Sequence, residues 1–108
     1  MVIVKKEEFR RWLKEVDGRN AAQTSDHISR IKRIEDAVSM LDNAKCDVEE
    51  ECIKDGGISL LDKLSLSSRK KMPDGINLPL TPMGMSRLRS SLRKYIDFFE
   101  WSKQFESI

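Results

Sequence analysis

The sequence predicts an all-α protein, an orthogonal bundle of four to five helices that fills a single domain over residues 1–108. Three observations carry that expectation. Only three prolines and five glycines interrupt 108 residues, long segments are built from Leu, Ile, Lys, Glu and Arg, and apolar side chains return at helical spacing along those segments. The chain is 39% hydrophobic and 35% charged, enough to close a core and too short to close two. The connection around 72–81 is long enough to let helices cross at steep angles.

Each element has its own justification. In the first segment, roughly 4–17, Phe9, Trp12, Leu13 and Val16 fall at offsets 0, 3, 4 and 7, one stripe of a helix. Gly18 stops it. Asn20 with Gln23 three residues on has the form of a capping box. Ile28, Ile31, Ile34, Val38 and Leu41 then keep a helical stripe to about 42, with Ser29, Lys32, Arg33 and Asp36 outward and Arg30 at the flank. Within 43–71, Val48, Cys52 and Ile53 suggest a short helix in an acidic context, ended by Gly56-Gly57. Ile58, Leu60, Leu61 and Leu64 predict one further helical segment, closing in the basic run Arg69, Lys70, Lys71.

A loop follows in which Pro73-Asp74-Gly75 is a turn signal and Pro79 blocks a regular helix. Thr81 and Pro82 read as N-cap and first residue of the last helix, which runs from about 82 to 105. Met85, Leu88, Leu92, Tyr95, Ile96 and Phe99 form its stripe, with Arg87, Ser90 and Lys94 opposite and Arg93 at the flank. Past Ile96 the aromatics Phe98, Phe99, Trp101 and Phe105 exceed one stripe, so that end is either enclosed on several sides or offers rings to a partner.

Several function classes lose support at this stage. There is no apolar run approaching the roughly 18 residues that span a bilayer, and the opening MVIVKKEEFRRW lacks the pattern of a secretory signal. A cytoplasmic protein without membrane contact is expected. Cys46 and Cys52, six apart in an acidic segment read as helical, point to different faces and are expected to stay reduced. His27 is the single histidine, so no zinc set can be completed. Its place beside Ile28, near the apolar side of its helix, suits a half-buried structural residue. Asp47, Glu49, Glu50 and Glu51 radiate around a helix instead of converging on a metal. Gly56-Gly57 lacks the Lys-Ser/Thr of a phosphate loop. No catalytic residue, metal site or cofactor is assigned.

The net charge of +2 hides a strong division. Residues 42–62 carry −5, whereas 63–71 and 72–97 carry +4 and +2. Such asymmetry suits either a solvated surface or one face that meets a polyanion. Arg87, Arg89, Arg93 and Lys94, with Ser90 and Ser91 among them, can present guanidinium and hydroxyl donors to phosphates, and a helix is the element that fits a DNA major groove. Arg69, Lys70 and Lys71 belong to the same candidate surface.

Two stretches then resemble a known family. TSDHISRIKRI is similar to the Thr-x-x-x-Tyr-x-x-x-Leu-x-x-Ile/Phe pattern of the SAM-like, core-binding N-terminal domain of tyrosine recombinases and phage integrases. SRLRSSLRKYIDFFEW resembles a basic, small-residue helix of related proteins ending in Tyr-Ile-x-Phe, and FRRWLKEVDG resembles that domain's first helix. The resemblance implies an all-helical clamp on duplex DNA, of the kind carried on a mobile element, with Thr24, Ser29, Arg30, Lys32 and Arg33 lining one contact and Arg87, Ser90, Ser91 and Lys94 the other. His27 is read in place of the family's tyrosine, at a spacing one residue shorter from Thr24 than in the pattern. The family's catalytic domain has no counterpart here, so recombination chemistry would fall to a separate recombinase or nuclease, and Tyr95 sits on a core stripe instead of acting as a nucleophile. The alternative is a protein-interaction module that uses Phe98, Trp101 and Phe105.

Overall fold

The computed structural model describes residues 6–73, 75, 76, 78, 79 and 81–106; residues 4 and 5 of the expected first helix and Asp74 of the expected turn lie outside them. Among the described residues six helices follow one another: α1 (Lys6–Glu15), α2 (Ala21–Asp42), α3 (Val48–Asp55), α4 (Ile58–Lys63), α5 (Leu66–Lys70) and α6 (Pro82–Glu106). Among the described residues no strand occurs, so the all-α expectation holds.

The local signals act where the sequence puts them. Asn20 Oδ1 accepts the Gln23 N–H at 2.8 Å while Gln23 Oε1 accepts the Asn20 N–H at 3.2 Å, a complete capping box that starts α2. Thr81 Oγ1 accepts the Gly84 N–H at 3.1 Å and α6 begins at Pro82. Gly18 closes α1 with φ at +73°, where the Arg19 N–H reaches the Leu13 carbonyl. The acidic run Glu49, Glu50, Glu51 fills the first turn of α3 behind its N-cap Asp47, where carboxylates stabilise the positive end of the helix dipole.

The number of helices departs from the expected four to five. Residues 58–70 form two short helices instead of one, because Ser65 accepts the Ser68 N–H through its own hydroxyl and so begins a new helix. Val16 also departs from its expected stripe: α1 ends at Glu15, and the side chain beyond it is 53% exposed.

One core is shared by all the long elements. Phe9 and Leu13 of α1, Ile31 and Ile34 of α2, and Met85, Leu92 and Tyr95 of α6 are all fully buried. Val48, Cys52, Leu60 and Leu64 close it from α3, α4 and the turn after α4. Fully burying such side chains stabilises the fold by about 1.5–3 kcal/mol each, before the entropy of ordering is charged against it. Phe9, Trp12, Tyr95 and Phe98 pack ring against ring with centroids 5.0–6.3 Å apart; Tyr95 meets Phe9 and Phe98 edge to face, while the Phe9 and Trp12 planes lie 17° from parallel. Gly57, at φ +82°, lets the α3–α4 corner approach Ile96: a Cβ there would stand 2.8 Å from Ile96 Cδ1. Cys46 lies in the connection before α3 and Cys52 within α3, both free and buried. Burial, reinforced by nearby carboxylates, pushes each thiol up to about 12, so neither is a ready nucleophile.

Candidate nucleic-acid interface

The predicted basic residues divide into an exposed group and a group drawn into the fold. On α2, Ser29 and Lys32 are exposed and Arg30 and Arg33 half-buried. On α6, Arg87, Ser90 and Arg93 are exposed and Lys94 is half-buried. Lys70 and Lys71 are exposed at the end of α5. Lys32, Lys70, Lys71, Arg87 and Arg93 enter no ion pair among the described residues, whereas Arg10, Lys54 and Lys63 pair with Glu7, Glu51 and Asp42.

Four predicted contact residues are corrected by where they lie. Thr24 and Ser91 are fully buried, because they fall on the inward faces of α2 and α6, so neither offers its hydroxyl to an outside phosphate. Arg69 is only 9% exposed: its guanidinium donates to the carbonyls of Pro79 (3.1 Å) and Leu78 (3.4 Å), tying the loop before α6 to α5. Phe98 is 1% exposed within the aromatic core and is not available to a partner. Arg89 is likewise structural, donating to the Leu64 carbonyl at the end of α4 at 2.9 Å. The Phe105 side chain lies outside the described residues.

Where α2 meets α6, the predicted residues Arg30, Ser91 and Lys94 join three that sequence reasoning assigned elsewhere or not at all: His27, Asp17 and Arg19. Arg30 Nη1 donates to Ser91 Oγ at 3.4 Å, and Ser91 Oγ lies 2.8 Å from His27 Nδ1. With Arg30 donating to it, the hydroxyl can donate its own proton to a bare Nδ1 or accept from a protonated one, so this bond accommodates either protonation state of the imidazole. Beside them, Asp17 accepts from Arg19 Nε at 2.7 Å and from Lys94 Nζ at 3.1 Å. Burial opposes the Asp17 charge, but the hydrogen bonds and charges of Arg19 and Lys94 outweigh it and hold this carboxyl below the usual range. His27 is pushed down from 6.5, first by burial and then by the charges of Arg30, Arg19 and Lys94. A histidine beside an apolar stripe gives no sign of this; its partner Ser91 comes from a helix 64 residues away.

A separate open feature is a groove of about 340 Å³ between α1 and the end of α6, with Trp12, Val16, Phe98 and Trp101 among its lining and Glu8, Arg11 and Glu15 as its charged members. Trp101 is 36% exposed and stacks on Phe98 at 6.5 Å. Among the described residues no group of three or more His, Cys, Asp or Glu is placed to hold a metal ion, and no helix is long and apolar enough to cross a membrane. Compared with known families, curated proteins and solved structures, the chain matches no family model, no curated protein and no solved structure.

Proposed function

We propose that this chain is a non-catalytic, DNA-associated cytoplasmic protein that holds duplex phosphates through α2 and α6, in a SAM-like orthogonal arrangement, and leaves any strand chemistry to a separate recombinase or nuclease. The observation that carries the reading is the set of exposed cations on these two helices, Lys32, Arg87 and Arg93, that have no acid partner among the described residues. From Pro82 to Ile96 the last helix contains no acidic residue, so its field is uniformly positive and attracts a polyanion. Such contacts position a protein on DNA with little base readout.

The test is a duplex titration at two salt concentrations. Lys32→Ala combined with Arg87→Ala is expected to weaken binding and to flatten the slope of log affinity against log salt by about 2, since roughly 0.9 counterion is released per phosphate contact. Unchanged affinity and slope, or no binding at low salt, overturns the reading. The exposed Trp101 over the α1–α6 groove favours a second reading, a docking module for a protein partner. Such a partner would be indifferent to the Lys32 and Arg87 substitutions and sensitive to Trp101→Ala.

A further inference from the structure

The cations around His27 form a site of their own, distinct in kind from the exposed row on α2 and α6. The charged neighbours of His27 are Arg30 on α2, Arg19 and Asp17 in the turn before α2, and Lys94 on α6. Of the charged groups that act most strongly on His27, three are positive and one is a carboxylate, and that carboxylate is already shared between Arg19 and Lys94. Among the described residues the side-chain partner of Arg30 is the neutral Ser91 hydroxyl, at a long 3.4 Å. Its guanidinium fork is poorly satisfied for a half-buried cation, which normally meets an anionic acceptor. The side chains of Arg19, Lys94 and Asp17 keep 34%, 23% and 19% of their surface open, so the cluster is reachable from solvent. Beneath it the His27–Ser91 hydrogen bond is buried and fixes the seam between the two helices.

We propose that Arg30, Arg19 and Lys94 form a single anchoring site for one backbone phosphate, and that His27 beneath it couples the occupancy of this site to pH. The inference rests on the DNA reading and names a regulated contact within it. A phosphate accepts from several donors at once, so it completes the Arg30 fork and offsets the excess positive charge that disfavours the imidazolium. Its arrival therefore favours proton uptake by His27. By reciprocity, a protonated His27 favours the phosphate. The buried imidazole need not touch the ligand, because the coupling runs through charge across a partly desolvated seam.

As the only histidine in the chain, His27 reports on the site directly. Its imidazole carbon-bound protons can be followed by NMR through a pH titration of the full chain, first alone, then with inorganic phosphate, then with a short DNA duplex. The expected result is a midpoint below that of a free histidine for the chain alone, raised by about one pH unit at saturation, equivalent to about tenfold tighter duplex binding by the protonated form. Arg30→Gln is expected to remove the phosphate-induced displacement. His27→Gln is expected to leave duplex binding intact while erasing its pH dependence. A duplex that binds without moving the His27 midpoint, and that binds Arg30→Gln as it binds the parent, overturns the site while leaving the DNA reading in place. A midpoint moved by inorganic phosphate with no duplex bound at low salt leaves the phosphate site standing and overturns the DNA reading. Because the parent chain alone carries the decisive titration, a variant that fails to fold does not remove the test.

Discussion

His27 and Glu35 are both buried on α2, about two turns apart, and their surroundings favour the neutral form of each by opposite means. Burial disfavours the charged form of both. Around His27 the neighbours are mostly cations, Arg30, Arg19 and Lys94, with Asp17 opposing. Around Glu35 they are mostly carboxylates, Asp47 and Asp36, with Lys45 opposing. Burial pushes Glu35 from 4.5 up to about 7 even though its Oε2 accepts the Val48 N–H at 2.8 Å, a bond that by itself lowers it. The other carboxyl oxygen, Oε1, is buried without a hydrogen-bond partner among the described residues. The difference teaches how to separate a binding feature from a structural one. An excess of partly open positive charge is something an outside anion can relieve, whereas the closed site of Glu35 serves the junction of α2 with α3. There Ser39 adds a second tie, donating to the Glu35 carbonyl at 2.6 Å and accepting the Cys46 N–H at 2.8 Å.

The largest expected effect breaks the Glu35 side of the comparison. Its folded value lies above its unfolded one, so the folded state binds the proton more tightly and stability is highest below about 4.5, falling as pH rises toward about 7. The gap corresponds to about 3 kcal/mol. Glu35→Gln keeps an acceptor for Val48 and cannot ionise, so urea melts across this range are expected to lose that decline; a decline that persists in the variant assigns it to other groups. Next in size, Ser91→Ala removes the partner of His27 Nδ1 and Arg30 together and is expected to cost about 1–2 kcal/mol. A melt identical to that of the parent would mean that water satisfies both groups. The smallest effect is the acid limb of His27. Its folded value lies below 6.5, so the folded state binds the proton less tightly and stability falls as pH drops from 6.5 through the folded value. His27→Gln is expected to flatten that limb. Since it slopes against the Glu35 limb where the two overlap, combining the substitutions should leave stability nearly level with pH.

The two sites also differ in how far they could be read from sequence. Capping signals are local, so the Asn20–Gln23 box and the Thr81-Pro82 start of α6 were legible, as were the stripes of α1, α2 and α6. The break at Ser65 was not, because a serine can either continue a helix or cap the next one, and neighbouring packing chooses between them. The exposed part of the basic face, Lys32, Arg87 and Arg93, follows from helical periodicity alone. Thr24, Ser91, Arg69 and Phe98 read as surface contacts and lie inside, since the inward width of a helix depends on how many neighbours cover it.

By itself the sequence determined the class of fold, the main helix ends and the separation of an acidic block from a basic one, all consequences of interactions within a few residues. Only the tertiary structure decided which polar groups meet. Asp17, His27 and Arg30 come from one end of the chain and Ser91 and Lys94 from the other. The charge surrounding a buried group is a sum over helices that the order of residues does not place side by side. For the same reason the acidic block, which in sequence resembles a counterpart to the basic one, proves to serve the first turn of α3, and the phosphate site proposed for Arg30, Arg19 and Lys94 turns on the seam between α2 and α6.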